Sequence, residues 1–382
     1  MFNKQDERRN AFMLDGSFAD QGYDWWWHSF TGINARTGKE RQFFIEYFLC
    51  NPKKGGEEPI LGQLPENKEK GIAPSYLMVK AGSWGEHAAQ LHRFIGWSKV
   101  DVADGVPFFL RAEDCYLDNE TLRGSVNISR EECAAHPEWM CDYGSMSWDL
   151  EAEKEIAFNV GYGASTPFRK AKAFEMYWHA EGMKTKYSGS VNYMGEMYWI
   201  SPESSYGYAD KNWGRNFTSP WVWLSSNCMK SRITGKQLTN SVFDIGGGRP
   251  KIYFQALDRK LLGAFWYEGK EYEYNFSKLW TAPGTKFHCW ETEDEVRWHV
   301  RQENKDSVME TRVRCKKNDM ILVNYEAPDG SKKHNRLWNG GNGEGRIQLY
   351  KKVSGGVKLV DDIDVTHIGC EYGEYDDDKK KR

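Results

Sequence analysis

The chain has 382 residues with 52 basic and 55 acidic side chains, which gives a net charge of −3. Because the charges nearly cancel and the basic residues are scattered, nucleic acid is not expected as a partner. No apolar run reaches the roughly 18 residues of a membrane-spanning helix. Residues 1–10 carry charges of both signs with no apolar segment behind them, so we expect no signal peptide and a cytoplasmic location.

Aromatic residues are unusually frequent: 17 Trp, 20 Tyr and 19 Phe make up 15% of the chain. Aromatic side chains favour strands and supply wide apolar surfaces. The eight cysteines form no C-x-x-C pair, which in a long cytosolic chain is typical of reduced thiols. The composition therefore predicts a β-rich protein without a disulfide framework.

The first half of the chain shows strand patterns with a few helical signals. Residues 25–28 and 41–49 predict a hairpin, and a long polar loop follows at 52–73. We expect a short helix at 86–94 and another after Ser129, where Glu132 completes a capping-box pattern. Further along the chain, residues 170–179 fit helix and strand equally well, and 187–200 predict a second hairpin.

The second half is more plainly β. Residues 295–301 alternate between apolar and polar side chains, and similar short strands recur about ten residues apart, as in antiparallel barrels or sandwiches. A Thr-Gly-Lys turn occurs in each half, at 37–39 and 234–236. We therefore predict an all-β fold with two related domains and a charged, disordered tail. Their expected boundaries are 1–185, 186–373 and 374–382.

Three kinds of site find no support in the sequence. The histidines lack H-x-x-x-H spacing, so no metal site is predicted. The glycine-rich segments 246–248 and 340–345 have no following Walker lysine and are interpreted as turns. There is no G-x-S-x-G nucleophile motif.

The most concentrated chemistry lies at 205–217, where Asp210, Lys211, Asn212 and Trp213 are consecutive. A carboxyl group among aromatic rings is desolvated and can keep its proton near neutrality. Aromatic faces attract cations, so this combination suits protonation of an alkene. A structural ion pair or hydrogen bond between Asp210 and Lys211 or Asn212 explains the same residues, and both interpretations stay open. The aromatic neighbours are Tyr206, Tyr208, Trp213, Trp221 and Trp223.

The segment Gly207–Gly214, followed by W-x-W at 221–223 and by Asn227, resembles the tocopherol cyclase family and its hydroxyneurosporene synthase relatives. Stretches at 43–48, 79–82, 178–185 and 369–373 also look similar to bacterial members. The resemblance implies two lipocalin-like β-barrel halves around an apolar cavity. It further implies cofactor-free, acid-initiated cyclisation of a prenylated hydroquinone or hydration of an isoprenoid alkene.

The resemblance implies that Asp210 is the acid, with Lys211 and Asn212 orienting it or the substrate. The plant motif has Glu where this chain has Asp210, and we expect no plastid-targeting segment from residues 1–24. Substrate contacts are predicted from eight residues: Trp26, His28, Glu46, Tyr206, Tyr208, Trp213, Trp221 and Trp223.

The partner implied is an apolar small molecule, with no cofactor, and peripheral membrane contact and oligomeric state stay open. Two other functions are compatible with the same residues. The protein is alternatively a non-catalytic carrier or sensor of an apolar ligand, with a structural Asp210. A weaker alternative is sugar binding on exposed tryptophans, which an open groove would favour.

Overall fold

The computed structural model describes residues 2–158, 174–249, 251–252, 255–256, 260–276 and 278–373. Contacts group the chain into two compact units. The first contains 1–159, 175–217 and 324–335, and the second contains 160–174, 218–323 and 336–382. The predicted all-β class is confirmed, because both units are built on antiparallel, barrel-like sheets. The proposed boundary at 185/186 stays a prediction about domains, and both positions lie within the strand Met176–Tyr193. The predicted disordered tail, 374–382, lies outside the described residues.

The described helices are short. They are α1 (Lys4–Asn10), α2 (Gly16–Asp20), α3 (Pro65–Glu69) and α4 (Arg130–Ala135). Single 3₁₀ turns lie at Pro52–Lys54, Trp97–Lys99, Pro137–Trp139, Leu279–Thr281 and Lys317–Asp319. The predicted capping box is present at α4: Glu132 N–H donates to Ser129 Oγ at 3.1 Å, and Ser129 N–H donates to Glu132 Oε2 at 2.8 Å.

Twelve strands form the sheet of the first unit. They are β1 (Tyr23–Asn34), β2 (Glu40–Cys50), β3 (Tyr76–Ser83), β4 (Ala89–Ile95), β5 (Val100–Val102), β6 (Phe109–Ala112), β7 (Cys115–Asp118), β8 (Thr121–Ile128), β9 (Gly144–Phe158), β10 (Met176–Tyr193), β11 (Glu196–Ile200) and β12 (Gly207–Gly214). Their order is β4-β3-β2-β1-β11-β10-β9-β8-β7-β6-β5, and β12 pairs with both β1 and β10. The helix predicted at 86–94 is wrong. Residues 86–88 belong to a turn and 89–94 to β4, because this part of the segment pairs with β3.

The remaining strands follow in chain order. They are β13 (Trp221–Ser226), β14 (Cys228–Ser231), β15 (Val242–Gly248), β16 (Lys251–Ile252), β17 (Gln255–Ala256), β18 (Lys260–Tyr267), β19 (Lys270–Tyr274), β20 (Gly284–Glu291), β21 (Glu295–Glu303), β22 (Ser307–Lys316), β23 (Ile321–Glu326), β24 (Lys332–Val353) and β25 (Gly356–Gly373). The second sheet has the order β19-β18-β15-β13-β25-β24-β22-β21-β20, with β14 on β25 and β23 on β24. The predicted alternation in β21 is confirmed, because Val296, Trp298 and Val300 are buried in the core of this unit.

The glycine segments predicted as turns lie inside strands. Residues 246–248 end β15, where a Cβ on Gly248 would collide with the Pro220 carbonyl oxygen. Residues 340–345 belong to β24, whose pairing with β25 shifts register between Gly340 and Gly345. Glycine within a strand marks a bulge or a close approach of two backbones, and both occur here.

The two Thr-Gly-Lys turns have the same geometry. Gly38 N–H donates to Asn34 O at 2.9 Å, and Gly235 N–H donates to Ser231 O at 2.9 Å. The glycines have φ values of 70° and 71°. Residues 34 and 231 each accept a further backbone hydrogen bond on the side chain, from Thr37 at 2.9 Å and from Thr234 at 3.1 Å. Each unit therefore contains the same turn between paired segments.

Candidate active site

Strand β12 contains the four consecutive residues Asp210 to Trp213, and all eight residues of the strand are buried. It pairs with β1 on one side and β10 on the other, so its backbone is hydrogen-bonded along both edges. Side chains alternate between the two faces of a strand. Asp210 and Asn212 therefore share one face with Tyr208, whereas Lys211 and Trp213 lie on the opposite face. We name these the Asp210 face and the Lys211 face of the first sheet.

Asp210 is held by two hydrogen bonds on its own face. Asp210 is only 9% exposed. Trp178 Nε1 donates to Asp210 Oδ2 at 2.7 Å, and the Tyr208 hydroxyl donates to the same oxygen at 3.0 Å. Asn212 lies next along this face, where its Oδ1 accepts a hydrogen bond from the Tyr23 hydroxyl at 2.7 Å. Both described donors to the Asp210 carboxyl group are neutral, and they help to fix its orientation.

Aromatic side chains cover the Asp210 face around this carboxyl. Trp27 lies directly opposite Asp210 across the β1–β12 pair, and Trp25 lies opposite Asn212. Trp27 stacks on Phe44, with ring centroids 5.3 Å apart and an interplanar angle of 5°. Trp25 contacts Phe48 edge-on at 6.4 Å. The face thus surrounds the Asp210 carboxyl group with several π-surfaces, as protonation of an alkene requires.

A buried ion pair lies further along the same face. Glu46 on β2 is opposite Trp27, and Lys80 on β3 is opposite Glu46. Lys80 Nζ lies 2.9 Å from Glu46 Oε2, and both side chains are fully buried at 0% exposure. Burial raises the pKa of Glu46, because desolvation penalises its charge more than Lys80 stabilises it.

Lys211 pairs with a different carboxylate. Its ammonium group contacts Asp24 Oδ1, and Asp24 Oδ2 accepts a hydrogen bond from Met13 N–H at 2.7 Å. Lys211 Nζ also lies 3.5 Å from the centroid of the Trp26 ring and 5.6 Å from that of Trp213. Desolvation lowers the pKa of Lys211 to about 8 and raises that of Asp24. This cluster is a satisfied polar network within the Lys211 face.

His28 and Trp26 also lie on the Lys211 face, since they are opposite Ala209 and Lys211. The Tyr187 hydroxyl donates to Tyr208 O at 3.1 Å, so it accepts from His28 Nδ1–H at 2.8 Å. Burial lowers the pKa of His28 well below its ordinary value, and the charge of Lys154 adds to this. His28 is therefore a neutral imidazole in a hydrogen-bonded position.

The other three residues that were predicted to contact the substrate do not lie on β1, β2 or β12. Tyr206 precedes β12, is partly buried and has a φ of 43°. Trp221 and Trp223 belong to the second unit, on β13. There Trp221 Nε1 donates to Glu371 Oε2, and Trp223 Nε1 donates to Asp244 Oδ1 at 3.2 Å. Within the first unit, the structure brings Asp210, Asn212, Tyr208 and Glu46 onto one face.

Sequence reasoning missed several residues of this face. Trp178, Lys80 and His92 come from three other strands, and none was predicted to contribute to a site. One signal was present for Lys80, which is a charged residue between the apolar residues Val79 and Ala81. A buried charge needs a partner, so such a residue indicates a paired or functional position.

No three His, Cys, Asp or Glu side chains converge as a metal site within the described ranges. None of the helices in the described part of the chain is long and apolar enough to cross a membrane.

Residues 145–374 match the model of the tocopherol cyclase-like family. No curated protein matches the chain. A solved structure of a protein described as AttH, from Nitrosomonas europaea, is 12% identical with a TM-score of 0.42 over 94% of this chain and 97% of its own. The structure of CghA bound to Sch210972 is 11% identical, with a TM-score of 0.45, and the match covers 94% of this chain and 89% of CghA. Kievitone hydratase from Nectria haematococca is 10% identical, with a TM-score of 0.44, and the match covers 96% of this chain and 94% of the hydratase.

Proposed function

Because the chain belongs to the tocopherol cyclase-like family, we propose that it is an enzyme that cyclises or hydrates an apolar, isoprenoid-type alkene by protonating its double bond. The observation that carries this proposal is the Asp210 carboxyl group, buried on an aromatic face and oriented by Trp178 and Tyr208. A positioned acid is the first requirement of this chemistry.

In the proposed reaction, Asp210 transfers a proton to the less substituted alkene carbon. The electron pair of the double bond forms the new C–H bond and leaves a tertiary cation. An oxygen nucleophile then forms a C–O bond to the cation and loses its proton. Neither product differs from the reactants in oxidation level, so the proposed steps need no redox cofactor.

Aromatic rings on the same face stabilise the cation in this scheme. Trp25 and Trp27 are buried beside the carboxyl group, and desolvated cation–π contacts contribute about 2 kcal/mol each. The apolar surroundings also exclude bulk water, which would otherwise capture the cation without control.

The test uses Asp210→Asn with 2-(3-methylbut-2-enyl)phenol as the probe, and product is measured by chromatography and mass spectrometry. We expect turnover to fall by about 10²-fold or more, because a general acid contributes at least that much. Asp149→Asn is the control, since the Asp149 side chain is 69% exposed. Wild-type turnover by Asp210→Asn would show that Asp210 is not the acid.

A second candidate function is a carrier or sensor of an apolar ligand. It is favoured by the two donors on Asp210 Oδ2, which satisfy that oxygen without any ligand. In that case Asp210→Asn should bind the probe normally but unfold at a clearly lower temperature, because a buried network loses its charge. The enzyme proposal predicts a small change in melting temperature and a large loss of turnover.

A further inference from the structure

Five side chains form an unbroken row across the Asp210 face. In the order of the strands they are Asp210 on β12, Trp27 on β1, Glu46 on β2, Lys80 on β3 and His92 on β4. Each is directly opposite the next in the strand register. None is more than 9% exposed. The row thus places an acid at one end and an ion pair with an imidazole at the other.

Glu46 is incompletely satisfied in this row. Lys80 Nζ lies 2.9 Å from Glu46 Oε2. Among the described residues, however, no hydrogen bond reaches Oε1, the other oxygen of the Glu46 carboxylate. A buried carboxylate oxygen without a donor is costly, so a bound molecule that supplies an O–H group would be stabilised there. Trp27 Nε1, the neighbour towards Asp210, also lacks a hydrogen-bond partner among these residues.

His92 stays neutral beside Lys80. Its Nδ1–H donates to the Trp139 carbonyl at 2.7 Å, and Nε2 lies 3.3 Å from the side-chain amide of Gln90. Burial and the nearby charge of Lys80 lower the pKa of His92 well below its ordinary value. A neutral imidazole does not compete with Lys80 for Glu46, so the ammonium group stays committed to that carboxylate.

The spacing in the row fits two groups that act on opposite sides of one substrate. Asp210 and Glu46 are two strands apart, so their Cα atoms lie about 9–10 Å apart, and side chains that project from one face of the sheet keep a comparable spacing. That distance accommodates an acid in contact with an alkene, a hydroxyl oxygen at a near-attack distance of about 3–3.5 Å, and a hydrogen bond of about 2.8 Å to the carboxylate. Inverting glycosidases separate their acid and base by a comparable distance of about 6.5–9.5 Å for the same reason.

We propose that Glu46 is the group that binds the attacking hydroxyl and accepts its proton, with Lys80 and His92 as positioning residues, an inference that rests on the proposed function. As the C–O bond forms, the O–H bond breaks and its proton passes to the Glu46 carboxylate. Asp210 has by then given its proton to carbon. One proton exchange with solvent, from Glu46 to Asp210, restores the starting state after the product leaves.

The experiment compares 2-(3-methylbut-2-enyl)phenol with its methyl ether, which lacks the hydroxyl proton. Dissociation constants are measured by quenching of tryptophan fluorescence. The wild type should bind the phenol about tenfold or more tightly than the ether, because a hydrogen bond to a charged group is lost in the ether. Equal binding of the two probes, or no binding of either, overturns the inference.

The variant is Glu46→Leu/Lys80→Met, which removes the acceptor without leaving a buried charge. It should lose the preference for the phenol. Its matched control is Lys154→Met/Glu181→Leu, which removes another buried ion pair, with 2.8 Å between Lys154 Nζ and Glu181 Oε2. The control should keep the preference. A preference retained in Glu46→Leu/Lys80→Met would overturn the inference even if the variant is less stable.

Binding and turnover separate this inference from the proposed function. If the wild type prefers the phenol through Glu46 but forms no product, the hydroxyl site stands and the enzymatic proposal fails. If Asp210→Asn abolishes turnover while Glu46→Gln leaves it unchanged, the enzymatic proposal stands and the role of Glu46 is wrong.

Discussion

Asp210 and Lys211 are consecutive in the chain, yet their side chains lie on opposite faces of strand β12, and Lys211 neutralises Asp24 instead of Asp210. The donors to Asp210 among the described residues are the neutral side chains of Trp178 and Tyr208, while the lysine stabilises the other side of the sheet. In the proposed reaction this separation matters, because an ammonium group beside Asp210 would favour the carboxylate and oppose a proton donor.

The Lys211–Asp24 pair should be structural. Lys211→Met leaves Asp24 buried without its cation, and we expect a loss of about 3–5 kcal/mol in the free energy of unfolding. The double variant Lys211→Met/Asp24→Leu should recover most of this loss, because no unpaired charge remains. Urea denaturation followed by fluorescence measures both values. A single variant within about 1 kcal/mol of the wild type would contradict the prediction, since that is the value of an exposed pair.

Trp178 and Tyr208 should act on catalysis through Asp210. Trp178→Phe and Tyr208→Phe each remove a donor that stabilises the carboxylate, so Asp210 should hold its proton to higher pH. The pH above which turnover falls should move upward in both variants. Turnover of the prenylphenol probe across pH 5–9 provides the measurement. Tyr116→Phe is the control, because Tyr116 donates at 2.8 Å to Asp118 at a more exposed position. An unchanged pH profile in both variants would show that these bonds do not tune the acid.

Glu326 should make the stability of the protein depend on pH. It is 5% exposed, and its Oε2 accepts a hydrogen bond from the Tyr76 hydroxyl at 3.0 Å. Desolvation raises the pKa of Glu326 from 4.5 to about 7. Below pH 4.5 the carboxyl is protonated in both the folded and unfolded states. Between pH 4.5 and 7 only the folded state keeps its proton, so unfolding becomes easier as pH rises, by on the order of 3 kcal/mol in total.

Glu326→Gln should remove this part of the pH dependence. The variant should gain stability relative to the wild type at pH 8 and show little difference at pH 4.5. Melting temperatures at the two pH values test this. An equal effect of Glu326→Gln at both pH values would mean that the pKa of Glu326 is not raised in the folded protein.

The two Thr-Gly-Lys turns should respond alike to substitution. A Cβ on Gly38 or Gly235 would meet no atom within 4 Å, so only the left-handed backbone conformation is affected. Gly38→Ala and Gly235→Ala should each cost about 1 kcal/mol of unfolding free energy. Gly56→Ala is the matched control, because Gly56 has equal space and no left-handed backbone. A loss of unfolding free energy in Gly56→Ala as large as in Gly38→Ala and Gly235→Ala would refute this account.

Much of the fold could be predicted from local patterns. Alternating side chains predicted β21, and the Ser129–Glu132 capping box predicted α4. The local pattern of residues 86–94 predicts a helix and is wrong, because pairing of residues 89–94 with β3 decides their structure and no local signal reports that pairing. The glycines of β15 and β24 were interpreted as turns for the same reason: the close neighbours that require them come from distant parts of the chain.

The site could be predicted only in part. The motif around Asp210 is contiguous, so its residues could be identified, but a one-dimensional motif does not show which side chains share a face. Alternation along β12 separates Lys211 from Asp210. Register then brings Glu46, Lys80 and His92 into line with Asp210 from three other strands, and register depends on the whole sheet.

The cross-strand row also limits how the protein could be redesigned. Neighbouring strands lie about 4.7–4.9 Å apart, so the residues of one row are separated by whole multiples of about that distance, measured between their backbones. In the proposed reaction, moving the carboxylate from position 46 to position 80 would widen its distance from Asp210 by one full strand spacing. A carboxylate at that distance would no longer reach a hydroxyl group that lies in near-attack contact with the cation, so the spacing of the strands itself fixes where a proton acceptor can act.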